Sequence, residues 1–355
     1  FSHPCCRFDR FSVLLGVLME KRTLGKDFEV SAIGLGCMGF THAYGAAMDD
    51  AEAVRAIQAA VDMGYTLFDT AERYTGFYSD GRKAWNEELV GKALAPYRHQ
   101  VKIATKFGIT ITENGERIYD SRPKTIRRSV EGSLKRLHTD YIDLYYQHRM
   151  DPITPVEEVA GVIADLMKEG KILHWGLSNT DEEHLRRAHA VCPVTCIENR
   201  YSMMARWEEK LFPVLEELQV GFVAFSPLAN GILSDAYGNQ TFTGAEDYRS
   251  FMPQYQESGH QKNELFLQTV RQLAHEKQVT PAQLSLAWML GKKPYIVPIP
   301  GSRKIERLQE NAQAAEITLT KDEMQSIDLA IESLDVAVFS GPPKSLEKSW
   351  YSETN

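Results

Sequence analysis

The sequence has no apolar run approaching the roughly 20 residues that span a bilayer, and it has no block of basic residues. Lys and Arg number 40 against 48 Asp and Glu, a net charge of −8. Electrostatics therefore offers nothing to a nucleic acid or an anionic membrane surface, and the expected partners are small molecules. Cysteine is scarce. Cys5, Cys6, Cys37, Cys192 and Cys196 are an odd five in 355 residues, which makes no disulfide framework and suits a reducing compartment such as the cytoplasm. No metal cluster is legible either: His184 and His189 are five apart and fall on different faces of a helix, and Cys192 and Cys196 flank Pro193 without a second pair. Nor does a Pro/Gly/Ser-rich linker divide the chain.

What is present is an alternation of short β-rich runs with longer amphipathic ones, in a chain that is 43% hydrophobic and 25% charged. The strands read as Ile33–Met38, Thr66–Thr70, Val101–Lys106, Ile142–His148, Leu173–Ser178, Thr195–Asn199, Phe222–Ser226 and Ile296–Ile299. Between them Thr154-Pro155-Val156-Glu157, Thr280-Pro281-Ala282-Gln283 and Thr320 with Glu323 read as capped helix starts. Eight strand–helix units without a break predict an α/β fold, a (β/α)8 TIM barrel with an N-terminal hairpin and extra C-terminal helices. One domain is expected over 19–335. Residues 1–18 read as an extension outside it, either non-native or disordered, and 336–355 as a tail over the barrel mouth. Leu228 to His260, polar and aperiodic, is a lid candidate.

Gly34-Leu35-Gly36-Cys37-Met38-Gly39 matches a dinucleotide fingerprint but fails on context, because Phe40 to Met48 is a loop where the helix should begin at once. The expected reading is a tight first βα loop. More informative are the polar residues that end apolar strands. Asp69, Lys106 and His148 each close a strand, and Tyr74 follows in the loop above Asp69. In a barrel such ends converge on the catalytic face. An acid, a base, an imidazole and a phenol over one mouth suggest a tuned proton donor, the Lys106 ammonium drawing the phenol down from its usual value of about 10. Each residue alone reads as an ordinary strand-end polar group; the four together favour chemistry.

The ordered set Phe68-Asp69-Thr70-Ala71-Glu72-Arg73-Tyr74, Ala104-Thr105-Lys106, Tyr145-Tyr146-Gln147-His148, Gly176-Leu177-Ser178-Asn179, Phe225-Ser226-Pro227-Leu228 and Ile299-Pro300-Gly301-Ser302, leading to Arg307-Leu308-Gln309-Glu310-Asn311, resembles the aldo-keto reductases from about residue 20 to 335. Arg22-Thr23-Leu24-Gly25 and Gln147-His148-Arg149 look closer to its bacterial, fungal and plant branch. The resemblance implies NADPH-dependent reduction of an aldehyde or ketone, with Tyr74 as general acid, Lys106 and Asp69 as its tuning pair, and His148 polarising the carbonyl. It also implies NADPH against Ser178, Asn179, Glu198 and Phe225. Pro227, Leu228 and Gly231 would lie at its pyrophosphate, Gly301, Ser302, Lys304 and Arg307 at its 2′-phosphate, and Glu310 and Asn311 at its adenine. Two positions depart from the family pattern: Glu198 stands where Gln is usual, and Phe225 where Tyr is usual. Met38, Phe40, Phe107, Arg149 and Trp207 are expected to line a pocket for a bulky or aromatic carbonyl compound. Two readings stay open beside this one, a slow NADP(H)-binding regulatory or redox-sensing subunit and a Schiff-base aldolase acting through Lys106.

Overall fold

The computed structural model describes residues 19–111, 117–244 and 246–340. Its centre is a parallel sheet of eight strands: β1 (Leu35–Gly36), β2 (Leu67–Asp69), β3 (Lys102–Phe107), β4 (Ile142–Gln147), β5 (Ile172–Ser178), β6 (Cys196–Arg200), β7 (Gly221–Phe225) and β8 (Ile296–Pro298). Each strand pairs with the next in sequence, and the chain segments of the first and last meet: Gly34 N donates to Pro298 O at 3.0 Å and Gly36 N to Pro300 O at 3.3 Å. The sheet is thereby a barrel. All eight strands expected from the sequence are present, with no end shifted by more than two residues.

The closure explains the glycines that imitate a dinucleotide fingerprint. A Cβ on Gly36 would lie 2.8 Å from Ile299 O, and one on Gly301 would lie 2.6 Å from Gly36 O. The two backbones approach more closely than any side chain permits. No helix follows at once: a single 3-10 turn (Met38–Phe40) leads into a loop, and α1 (Asp50–Asp62) begins at the Asp49 cap, whose carboxylate accepts from Ala51 N and Glu52 N.

Strand parity divides the apolar residues into two cores. Leu67, Ala104, Leu144, Tyr146, Cys196, Val223 and Val297 point into the barrel, which Leu24, Phe28 and Val30 of the hairpin Lys21–Leu24/Phe28–Ser31 close at the bottom. The alternate residues point outward under the helices α2 (Asn86–Leu94), α3 (Pro123–Leu137), α4 (Val156–Lys168), α5 (Glu182–Val191), α6 (Phe212–Leu218), α7 (Glu257–Lys277) and α8 (Pro281–Lys292). On α4 the buried face is Val156, Val159, Ala160, Ile163 and Leu166, each large aliphatic contributing about 1.5–3 kcal/mol of burial. Two helices follow the barrel, α9 (Ile305–Gln313) and α10 (Lys321–Glu332).

The capping boxes at Thr280 and Thr320 are both formed. The one expected at Thr154 is not. Pro155 occupies that cap position, Thr154 N is taken by Asp151 Oδ1 at 3.2 Å, and Glu157 turns outward to Arg187 at 2.7 Å.

The lid candidate is folded against the first βα loop. Tyr44 bridges to Asp247, and the Arg249 guanidinium, paired with Asp247 at 2.6 Å, lies 3.8 Å from the Phe242 ring centroid and about 5 Å from those of Tyr44 and Tyr237. The start of the tail docks on the same region: Phe339 N donates to Gln254 Oε1 at 2.9 Å, and Ala337 exchanges two hydrogen bonds with Asn263. Residues 1–18 and the tail beyond 340, with Pro342, Pro343, Trp350 and Tyr351, lie outside the described residues. No helix among the described residues is long and apolar enough to cross a membrane.

Candidate active site

Towards the C-terminal ends of the strands the inward row changes from apolar to polar. In the row of Leu67, Ala104, Leu144 and Cys196, the next inward residues are Asp69, Lys106, Tyr146 and Glu198. The Lys106 ammonium is fully buried among them. It donates to an Asp69 carboxylate oxygen and to Thr70 O at 3.0 Å, and lies 3.3 Å from Glu198 Oε1. The Tyr74 ring sits above, its centroid 5.2 Å from Lys106 Nζ, with the His148 ring edge-on at 5.7 Å and the His42 ring stacked at 5.9 Å. Asp69 with Tyr74, Lys106 and His148, from three separate stretches of the sequence, thus share one mouth.

The charges are set mainly by burial. Burial pushes the Tyr74 hydroxyl above its ordinary range; Lys106 opposes this, and Asp69 and Glu198 add to it. The phenol is therefore protonated at neutral pH, poised as a donor and not as a tyrosinate. The sequence-based expectation of a net lowering is corrected: the lysine acts in that direction, and the dry environment outweighs it. Burial also opposes the Lys106 charge, yet Asp69, Glu198 and Tyr74 together hold its pKa above the usual lysine value, so it is an ammonium. Burial, then Lys106 and the guanidinium of Arg149, hold His148 well below the usual histidine range. The imidazole is neutral, and its Nδ1 is buried without a hydrogen-bond partner.

The opposite half of the mouth, from β5 to β8, carries the other expected residues. Ser178 is buried at the end of β5, and Asn179, at φ +54°, donates to its hydroxyl at 2.8 Å. Phe225 ends β7. Beyond it Ser226, Ala229, Asn230 and Gly231 all have positive φ, in a tight turn where Ala229 N donates to Ser226 O at 2.9 Å and Gly231 N to Leu228 O at 2.8 Å. After β8, Ser302 Oγ accepts from Lys304 N at 3.1 Å, and α9 starts with no side chain on its first N–H groups. On α9 Arg307 pairs with Glu310 at 2.5 Å, half-exposed, and Asn311 is buried.

Three placements differ from expectation. Phe107 has the outward parity of its strand and is buried against Tyr145, ring centroids 4.9 Å apart; Phe40 is likewise packed under the helices. Both are core residues and not pocket lining. Glu198, expected at the cofactor's carboxamide, directs Oε1 to Lys106. Met38 and Arg149 are partly exposed, and Trp207 is exposed on the turn Trp207–Leu211 before α6. One residue escaped the sequence reading: Arg200, two places beyond Glu198 on the inward face, which bonds Asn230 Oδ1 at 3.0 Å and lies 5.0 Å from the Phe225 centroid. The strand period of two would have found it.

A family model for the aldo/keto reductase family matches residues 32–332. A soybean (Glycine max) protein named probable aldo-keto reductase 1 is 38% identical over 312 residues, 87% of this chain and 88% of its own. Among solved structures, the glycerol dehydrogenase of Gluconobacter oxydans superposes with a TM-score of 0.79 at 28% identity, covering 91% of this chain and 97% of its own. An aldo-keto reductase from Klebsiella pneumoniae, solved in complex with NADPH, gives 0.66 at 26% identity, covering 90% and 99%. With a match that spans the whole barrel and a relative aligned over nearly nine-tenths of both chains, this protein belongs to the aldo/keto reductase family of oxidoreductases.

Proposed function

We propose that the protein reduces aldehydes or ketones to alcohols with NADPH, reversibly, with Tyr74 as the general acid. The observation that carries the reading is the juxtaposition of a protonated phenol, a neutral imidazole and a buried ammonium at one barrel mouth. A carbonyl oxygen between Tyr74 and His148 would accept a hydrogen bond from the imidazole, which polarises it, and then the phenolic proton as negative charge develops. Lys106, fixed by Asp69 and Thr70 O, offsets the negative charge left on the phenol. In the reverse direction the same oxygen takes the proton back.

The β5–β8 half fits a dinucleotide. Its positive-φ loop leaves no room for a Cβ at Gly231, where Tyr237 would lie at 2.5 Å, and α9 offers open N–H donors beside Lys304 and Arg307. Ser178 and Asn179 would hold the carboxamide and Phe225 the nicotinamide face. Backbone at Pro227, Leu228 and Gly231 would hold the pyrophosphate. Gly301, Ser302, Lys304 and Arg307 would hold the 2′-phosphate, and Glu310 and Asn311 the adenine. When bound, the cofactor supplies the hydride. The buried thiols Cys37, Cys192 and Cys196 support a reducing compartment, the cytoplasm. Loss of NADPH absorbance over a panel of aliphatic and aromatic carbonyl compounds tests the proposal: turnover of at least one is expected, and binding of NADPH with no turnover of any would favour a regulatory subunit.

A further inference from the structure

The interior of the barrel holds one more carboxyl group than Lys106 needs. We infer that Glu198 is a positioning residue of this site, a carboxylic acid that keeps its proton and shares it with Asp69, so that Lys106 faces one negative charge and not two.

The argument starts from counting. Asp69 and Glu198 are both buried and both reach the same ammonium, which sets the two carboxyl groups side by side. Asp69 Oδ2 and Glu198 Oε2 are each buried with no donor. An ionised carboxylate only accepts, so two such oxygens cannot satisfy one another unless one carries a proton. Among the described residues the surroundings supply no second cation. The groups facing the pair are the Cys37 thiol beyond β1, which burial keeps neutral, Lys106 from β3, the Tyr146 hydroxyl from β4, the Cys196 thiol from β6 and Tyr74 from the loop above. Tyr146 and Cys196 bond each other at 3.1 Å, and burial keeps both neutral. With both carboxyls ionised the cluster would carry a net negative charge in a dry interior, which burial opposes. Asp69 makes the closer contact with the ammonium, which leaves the proton to Glu198. Burial and the neighbouring Asp69 push its pKa up to about 8.

The arrangement acts on Tyr74. While Glu198 holds its proton, part of the Asp69 charge is engaged in that hydrogen bond, and the Lys106 field falls on the phenol. When Glu198 ionises, the added negative charge raises the Tyr74 pKa and opposes transfer of its proton. Turnover in the reduction direction therefore declines as Glu198 titrates. A glutamine at this position would donate an amide N–H permanently and has no proton to lose.

Two measurements test this, the second resting on the reductase reading proposed above. Infrared difference spectra of the protein without cofactor, recorded from neutral to alkaline pH, should show loss of a protonated-carboxyl band that is absent from Glu198→Gln, distinct from that of Glu72, which burial pushes up to about 7 and which both proteins share. Turnover with saturating NADPH and carbonyl substrate should fall about tenfold over the same range in the parent, a shift of one pKa unit in the acid. In the variant the ratio of neutral to alkaline turnover should be near one, whatever its absolute rate. A missing band at neutral pH overturns the inference, even in an active enzyme, and parallel pH profiles overturn the tuning role. The band present with no carbonyl reduced by either protein would support the shared proton and refute the reductase reading.

Discussion

Replacing Lys106 by Met tests how far one charge holds the site together. The side chain is fully buried, donates to Asp69 and to Thr70 O, and touches Glu198. Methionine is also unbranched and of similar length, so the packing loss is small and the electrostatic one dominates. Asp69 is then a buried carboxylate without its cation, a defect worth about 3–5 kcal/mol. It escapes by taking up a proton, and that fixes the pH dependence. In the unfolded chain Asp has its ordinary pKa of 3.8; in the folded variant, with burial unopposed, it lies well above. The folded state then binds more protons than the unfolded, so stability falls as pH rises above about 4, by about 1.4 kcal/mol per unit, until the folded pKa is passed. The limit of about 3–5 kcal/mol is reached roughly between pH 6 and pH 7.5. In the parent, the raised lysine pKa contributes stability that is fully present below the unfolded value of 10.5 and adds no slope in this window; burial raises Asp69 there too, but less than in the variant because Lys106 opposes it, and Glu198, protonated in both proteins, adds the same slope to each and cancels from the difference. Urea unfolding of parent and variant should show a deficit larger by about 2 kcal/mol at about pH 7.5 than at about pH 5. A deficit equal at the two pH values would refute the reasoning.

Tyr74→Phe keeps the ring against His42 and His148 and removes the donor; carbonyl turnover should fall by about two to four orders of magnitude, with NADPH titrating as in the parent, and a variant retaining most of its turnover would exclude Tyr74 as the acid. Arg307→Ala removes a half-exposed guanidinium from the proposed 2′-phosphate site, so fluorescence titration should show NADPH weakened by about tenfold or more and NADH unchanged; equal losses for both would place the phosphate elsewhere. Gly36→Ala sets a Cβ 2.8 Å from Ile299 O and should lower unfolding stability by about 1–3 kcal/mol, an unchanged urea midpoint being the contrary result.

The barrel was legible because each strand is a short apolar run bounded by turn residues and each helix carries an apolar face at helical spacing, as on α4. Its misread details are those in which a third element decides. Thr154 has the right neighbours for a cap, but Asp151 takes its N–H first. The ends of β1 depend on how closely β8 approaches, which only the glycine pair at Gly36 and Gly301 hints at. Leu228 to His260 has no period because its order comes from tertiary contacts, Arg249 among aromatic rings and Asp247 against Tyr44.

The site was legible to the extent that it follows strand parity. Asp69, Lys106, Glu198 and Phe225 lie on the inward row of their strands, and the same rule applied to Phe107 would have sent it to the core, since it is adjacent to Lys106 and so faces the other way. Parity also places Glu198 level with the polar layer of the barrel, which is where a carboxylate must answer to the nearest cation and not to a ligand above it. What parity does not supply is the balance of burial against charge. The phenol of Tyr74 has a cation near it and still titrates upward, because removing water from a buried oxygen opposes its ionisation more than an ammonium already engaged by two carboxyl groups can assist it. A lysine beside a tyrosine in the sequence pattern therefore identifies a proton donor, and only the count of carboxylates around that lysine shows how strongly the donor holds its proton.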